Sequence, residues 1–267
     1  VIALARFLKE KGWRPGIVSR GYGGKIKHFP YQVHQNSNAR EVGDEPLLIV
    51  RHTDCPTVID PNRSRGVRAL LKRAHCNLVI SDDGLQHSSL GRNIEIIVVD
   101  GERRFGNNFC LPAGPLREPT SRLNSVDFVI SKENPLRHEF KLSLIPDHFY
   151  QLIQPKIKKT LDYFHGKTLH AVAGIGNPDQ FFNSLRKLNL KIIEHPFPDH
   201  YLFKPHDFSY GSDAIIIMTE KDAVKCVGFV DARLWCLNTK TELDTNLLNT
   251  VLKRVTTLNN NLKSSSG

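Results

Sequence analysis

The sequence has no CxxC pair and no Lys/Arg-only block. Nor does any run approach the roughly 18 apolar residues that a membrane-spanning helix requires. These absences exclude a zinc ribbon, a basic tail and a segment crossing a bilayer. The five cysteines, Cys55, Cys76, Cys110, Cys226 and Cys236, are odd in number and scattered. That argues against a disulfide framework and suits a reducing compartment. Methionine occurs once, at Met218, and the chain opens on Val1. VIALARFLKEKG reads at once as an amphipathic helix ending at Gly12, with no Ser, Thr, Asp or Asn ahead of it as a cap. The chain is therefore expected to begin inside a helix and to lack its natural N-terminus. Any signal, anchor or glycine-rich loop upstream then lies out of view.

What is present is ordinary for a globular chain: 267 residues, 40% hydrophobic and 24% charged. That length accommodates one large or two small domains. The 37 Lys+Arg against 27 Asp+Glu leave a formal charge of +10, which suits an anionic leaflet, a phosphorylated substrate or nucleic acid. Nucleic acid is the least expected of these, because the cations are dispersed and the acids gather at strand ends.

Continuous apolar strands alternate with helices, which predicts a parallel sheet covered on both faces. Strands are expected at Gly16 to Arg20, Pro56 to Asp60, Leu78 to Ile80, Ile94 to Asp100 and Val126 to Ser131, with a helix at Arg63 to Ala74. After about residue 135 the pattern changes. FKLSLI and HFYQLI look like antiparallel strands or a small ribbon joining two lobes, followed by a second α/β stretch with a helix at Pro178 to Leu188 and a last one at Thr245 to Val255. The expected division is a first lobe over 1–135, a linking β-ribbon over 136–165, a second lobe over 166–258 and a disordered polar tail over 259–267.

Open parallel sheets bind ligands beyond the carboxyl ends of their strands, so the motifs there carry the functional expectation. VISDDGLQH places Asp82 and Asp83 at a strand end, followed by Gln86 and His87; adjacent carboxylates can hold Mg²⁺, although DDG is also good turn chemistry. VGDEP sets Asp44 at a helix start, either as a plain cap or as a carboxylate kept ionised for proton transfer or metal binding. SRGYGGK, with Ser19, Arg20 and Tyr22, follows a strand and can cradle an anion, but it does not match the phosphate loop GxxxxGK[ST]. LPAGPLREP ends in Arg117 and Glu118, suited to phosphate charge and to metal respectively, or to a rigid crossover. FPDHY holds His200 beside Asp199, the pairing that can exchange and orient a proton near neutrality. AGIGNP is a glycine turn into a helix, and TEKD at a strand end either caps a helix or meets a nucleotide.

In that order, SRGYGG, VGDEP, DDGLQH, LPAGPLREP, AGIGNP, FPDHY and TEKDAVK resemble the tetraacyldisaccharide 4'-kinase (lipid A 4'-kinase) family. The resemblance covers nearly the whole chain. It implies a P-loop NTPase-like α/β fold with helices on both faces of a parallel sheet, plus a second, smaller α/β lobe joined by a short β-ribbon. It implies transfer of a phosphoryl group from ATP, with Mg²⁺, to the 4'-hydroxyl of an acylated disaccharide 1-phosphate at the cytoplasmic face of the bacterial inner membrane. Asp44 and His200 are then the catalytic pair, and Asp82, Asp83 and Glu118 serve metal. Asp82, Asp83, Arg117 and Glu118 attend the nucleotide, while Ser19, Arg20, Tyr22, Gln86 and His87 face substrate. The family's phosphate loop would lie just before Val1, so the chain by itself is expected to bind ATP poorly. The alternatives are another P-loop small-molecule kinase, a GTPase (which would need a guanine-reading NKxD, missing here) and a non-catalytic remnant.

Overall fold

In the computed structural model, residues 1–264 are described. The strands are β1 (Pro15–Ser19), β2 (Tyr31–Val33), β3 (Thr57–Ile59), β4 (Leu78–Ser81), β5 (Ile96–Asp100), β6 (Phe128–Lys132), β7 (Phe140–Gln151), β8 (Lys158–Lys159), β9 (Thr168–Ala173), β10 (Lys191–Pro196), β11 (Ile215–Thr219) and β12 (Leu234–Leu243). The helices are α1 (Ile2–Glu10), α2 (Ala39–Val42), α3 (Asp44–Thr53), α4 (Arg63–Arg73), α5 (Pro178–Lys187), α6 (Glu220–Ala223) and α7 (Thr245–Ser264). The chain divides into two compact units that interleave along the sequence. One takes 1–14, 83–144 and 241–267; the other takes 15–82 and 145–240. The division expected near 135–165 followed a local change of pattern, whereas unit membership is set by which strands and helices pack at long range.

In the second unit, β2-β3-β1-β4 form one sheet, parallel except for the edge strand β2. Ile17 and Val18 of β1 and Val58 and Ile59 of β3 are fully buried there. Gly16 is required beneath α4, because a Cβ would lie 2.7 Å from Leu70. A second parallel ladder runs β10-β9-β11-β12. One of its faces packs Leu169, Ala171 and Ile217 against Phe181, Phe182 and Leu185 of α5. The other packs Val172, Ile216 and Met218 against Phe203 and Phe208. These are the continuous apolar strands that a two-sided parallel sheet demands.

In the first unit, β5 pairs in parallel with β6, and β6 with the start of β7. α1 and α7 pack together in the same unit. FKLSLI and HFYQLI form a single twelve-residue strand, β7, and not two. Its registers with β6 at Phe140 to Leu142 and with β8 at Phe149 and Tyr150 leave Pro146 between them. The disordered tail expected over 259–267 is corrected as far as Ser264, because α7 continues to that residue; 265–267 lie outside the described residues. The helix itself was expected at Thr245 to Val255, where Leu247, Val251 and Val255 recur at i, i+4, i+8 and are buried; only its polar continuation was misjudged.

Candidate active site

β3, β1 and β4 lie side by side in parallel, so their carboxyl ends share one edge. The last residue of β1, Ser19, is buried, and its hydroxyl donates to Asp82 Oδ2 at 2.9 Å. Asp82 follows β4, and its N–H donates to Val18 O at 2.9 Å. The guanidinium of Arg63, itself buried at the start of α4, donates to Asp82 O at 3.2 Å and to Asp60 O at 2.9 Å. A hydroxyl beside a carboxylate at a strand end is the hard-oxygen chemistry that Mg²⁺ takes.

The glycine-rich loop after β1 packs backbone to backbone against the start of α3. Gly43 has φ +90° and ψ 151°, and a Cβ there would fall 2.7 Å from Tyr22 O. Only glycine suits both demands. The turn aims Asp44 inward at the first position of α3, where its side chain is 3% exposed. Its Oδ1 accepts from the Glu45 N–H at 2.9 Å, and its Oδ2 lies 3.2 Å from His200 Nδ1. His200 has φ +58° and its ring centroid lies 5.2 Å from that of Tyr22.

The pair belongs to an open chain of ionisable side chains. His200 Nε2 is 3.6 Å from Asp199, and Lys221 Nζ is 3.5 Å from Asp199 and 3.1 Å from Glu45, whose backbone N–H is bonded to Asp44. Burial works against the Lys221 ammonium, but Glu45, Asp44 and Asp199 outweigh it and hold its pKa above the usual lysine value. Asp44, Glu45 and His200 also bring a ligand atom each within 4.8 Å of one another, close enough for a cation. Lys221 escaped the sequence reading. It lies inside TEKD, and nothing local marks it as the partner of residues near 45 and 199.

The rest of TEKDAVK is buried structure. Thr219 caps α6, accepting from the Asp222 N–H at 3.1 Å. Asp222 Oδ2 accepts from the Thr219 hydroxyl at 2.7 Å and from the Gly174 N–H at 3.0 Å. Lys225 Nζ lies 2.7 Å from Asp222 Oδ1 and donates to Gly174 O at 3.3 Å. Thus AGIG and TEKDAVK are one knot, and the capping alternative for TEKD is the one found.

The remaining expected residues fall in the first unit, apart from the exposed Arg20. Asp83 is exposed, with φ +45°. Gln86 donates to Glu118 Oε1 at 3.0 Å, and Arg122 reaches Glu118 Oε2 at 3.3 Å. Glu118 therefore already has a cation beside it. Arg92 holds Gly84 O and Leu85 O at 3.1 and 2.7 Å, fixing the turn that carries Gln86. His87 is half-buried in that turn, its N–H bonded to Gly84 O, and Arg117 is exposed.

The tetraacyldisaccharide-1-P 4'-kinase family, LpxK, matches residues 1–257. A tetraacyldisaccharide 4'-kinase of Nitrosococcus oceani is 50% identical over 236 residues, which is 88% of this chain and 69% of the relative. One from Methylobacillus flagellatus is 46% identical over 260 residues, 97% of this chain and 77% of the relative. Among solved structures, an "apo" form of LpxK from Aquifex aeolicus in complex with ATP superposes with a TM-score of 0.75 at 26% identity, covering 95% of this chain and 82% of that one. A family match over nearly every residue and relatives near half identity place this chain in the tetraacyldisaccharide 4'-kinase family.

Proposed function

We propose that this protein carries out ATP-dependent phosphorylation of the 4'-hydroxyl of tetraacyldisaccharide 1-phosphate, a step of lipid A biosynthesis, with Asp44 and His200 as its catalytic pair. The observation that carries this reading is their approach to 3.2 Å across 156 residues of sequence. Family membership favours it over another small-molecule kinase or a non-catalytic remnant. Among the described residues, no helix is long and apolar enough to cross a membrane. Action at the cytoplasmic face of the inner membrane is part of the proposal.

Phosphoryl transfer asks a protein mainly to position groups and to neutralise charge. Asp44 uses two of a carboxylate's roughly four acceptor directions on His200 and on Glu45 N–H, which leaves capacity for a sugar hydroxyl. In the proposed step Asp44 accepts the hydroxyl proton, and His200 orients the carboxylate and shares the charge. Asp199 and Lys221 steady the imidazole and the neighbouring Glu45. ATP and Mg²⁺, when bound, supply the phosphoryl group and neutralise its charge. The Ser19–Asp82 pair fits the metal, with the Ser19 hydroxyl fixing the orientation of the carboxylate. Metal and phosphate roles for Asp83, Arg117 and Glu118, and substrate roles for Arg20, Tyr22, Gln86 and His87, rest on their motifs.

The test is phosphate transfer to tetraacyldisaccharide 1-phosphate by the full-length gene product. Asp44→Asn should lower kcat by about 10² or more, in the range of general-base losses, with unfolding unchanged. Near-normal turnover in Asp44→Asn would overturn the assignment.

A further inference from the structure

The segment 154–167, QPKIKKTLDYFHGK, carries Lys156, Lys158, Lys159 and Lys167 against one aspartate, Asp162. Elsewhere in this unit cations find carboxylates: Arg65 is on Asp60, Lys225 on Asp222 and Lys240 on Asp147. None of the four lysines has a carboxylate partner among the described residues, and the nearby Asp147 is already held by Lys240 at 2.5 Å and by His148 at 2.7 Å. Two of them turn to an aromatic ring instead. Lys159 Nζ lies 4.2 Å and Lys167 Nζ 5.3 Å from the ring centroid of Tyr163.

This display is rigid. β8 is bonded to β7, and the turn before it closes through Ile157 N–H to Gln154 O at 2.8 Å. Phe164 is 2% exposed and stacks edge-on against Phe149 and Trp235 at 5.2 and 5.3 Å. The neighbouring Tyr163 and Ile157 nevertheless remain 44% and 37% exposed among the lysines. Cations without carboxylate partners, a half-exposed tyrosine and an exposed isoleucine on a fixed scaffold match the two layers of a bilayer surface: anionic headgroups outside, and an interfacial zone that accepts amphipathic rings.

We propose that this lysine-rich face, Lys156, Lys158, Lys159 and Lys167 around Ile157 and Tyr163, docks the protein on an anionic lipid bilayer. Nucleic acid fits it less well. The Tyr163 ring is engaged by two ammonium groups and packs edge-on against Phe164 at 5.0 Å, so it is not free to stack a base. The inference draws its biological sense from the lipid-kinase reading, but docking is measured without turnover, so the two can fail separately.

The experiment is flotation of the chain with vesicles of phosphatidylcholine containing 30% phosphatidylglycerol, beside pure phosphatidylcholine. The chain should float with the anionic vesicles, not with the neutral ones, and should be released by 0.5 M NaCl. Each surface cation contributes about fivefold in binding. Lys156→Gln/Lys158→Gln/Lys167→Gln should therefore weaken partitioning about 100-fold, with circular dichroism unchanged. Lys72→Gln/Lys187→Gln/Lys191→Gln, which removes the same charge from exposed positions outside this face, should cost less than a tenth of that. Equal losses in the two triple variants would overturn the proposal in favour of net charge alone. Failure to float with anionic vesicles, or tighter binding to a single-stranded oligonucleotide that is lost in the first triple variant, would overturn it as well.

Discussion

Lys225 and Asp222 form an ion pair at 2.7 Å with side chains that are 3% and 0% exposed, one turn apart at the end of β11. The pair binds the β9 turn to α6, because both partners also bond Gly174. Removing one member strands a buried charge, which costs about 3–5 kcal/mol. Asp222→Ala should lose that much in urea unfolding. Lys225→Met/Asp222→Val, which removes both charges, should lose less than the sum of its single variants. Additive losses would show that the pair acts as two independent contacts.

Gly43 joins backbone strain to the proposed catalytic carboxylate of Asp44. A side chain there meets both a φ of +90° and a carbonyl at 2.7 Å. Gly43→Ala should destabilise the fold by about 1–3 kcal/mol. It should also reduce turnover far more than that loss alone explains at a temperature where the variant is folded, because the start of α3 carries Asp44. Unchanged kcat in a folded Gly43→Ala protein would separate the turn from the chemistry.

Ser19→Ala tests the hydroxyl on Asp82. A hydrogen bond to a charged group contributes about 1.5–3 kcal/mol, so the variant should unfold at lower urea. Its half-saturating Mg²⁺ concentration in phosphate transfer should rise, while that of the wild type and of Ser19→Thr should stay similar. A metal requirement indifferent to Ser19→Ala would remove Asp82 from the metal role.

Burial pushes the Cys226 thiol up from an ordinary value near 9 to about 12, and the Asp222 charge adds to the rise. The folded state therefore holds this proton more tightly than the unfolded one. The associated stability is fully present below pH 9 and is lost as the pH climbs toward 12. Urea midpoints should fall between pH 9 and 11, and fall less in Cys226→Ala. The native thiol should also resist disulfide reagents at pH 8, since the thiolate is the nucleophile. Rapid labelling of Cys226 in folded protein would contradict both expectations.

Elements whose cause is local were legible in the sequence. The period of α4 and α5, and Pro178 at the first turn of α5, located those helices within a residue or two. TEKD at a strand end marked the close of β11, and the ends of β1 and β4 pointed to Ser19 and Asp82. The edge strand β2 was missed, since three residues hold too little pattern to read. So was the merging of two segments into β7, because Pro146 at their junction reads as the end of a strand.

By itself the sequence determined the periodicities, the turns that only glycine or proline permits, and an ordered set of motifs that places the chain in its family. Tertiary structure decided which of those motifs touch. Asp44 lies 156 residues from His200, and Lys221 lies 176 from Glu45. Ser19 finds Asp82 only because β1 and β4 are neighbours in the sheet. Spacing along a chain fixes contacts within a turn or a hairpin; contacts across more than a hundred residues depend on which buried faces pack together, and only the folded core sets that.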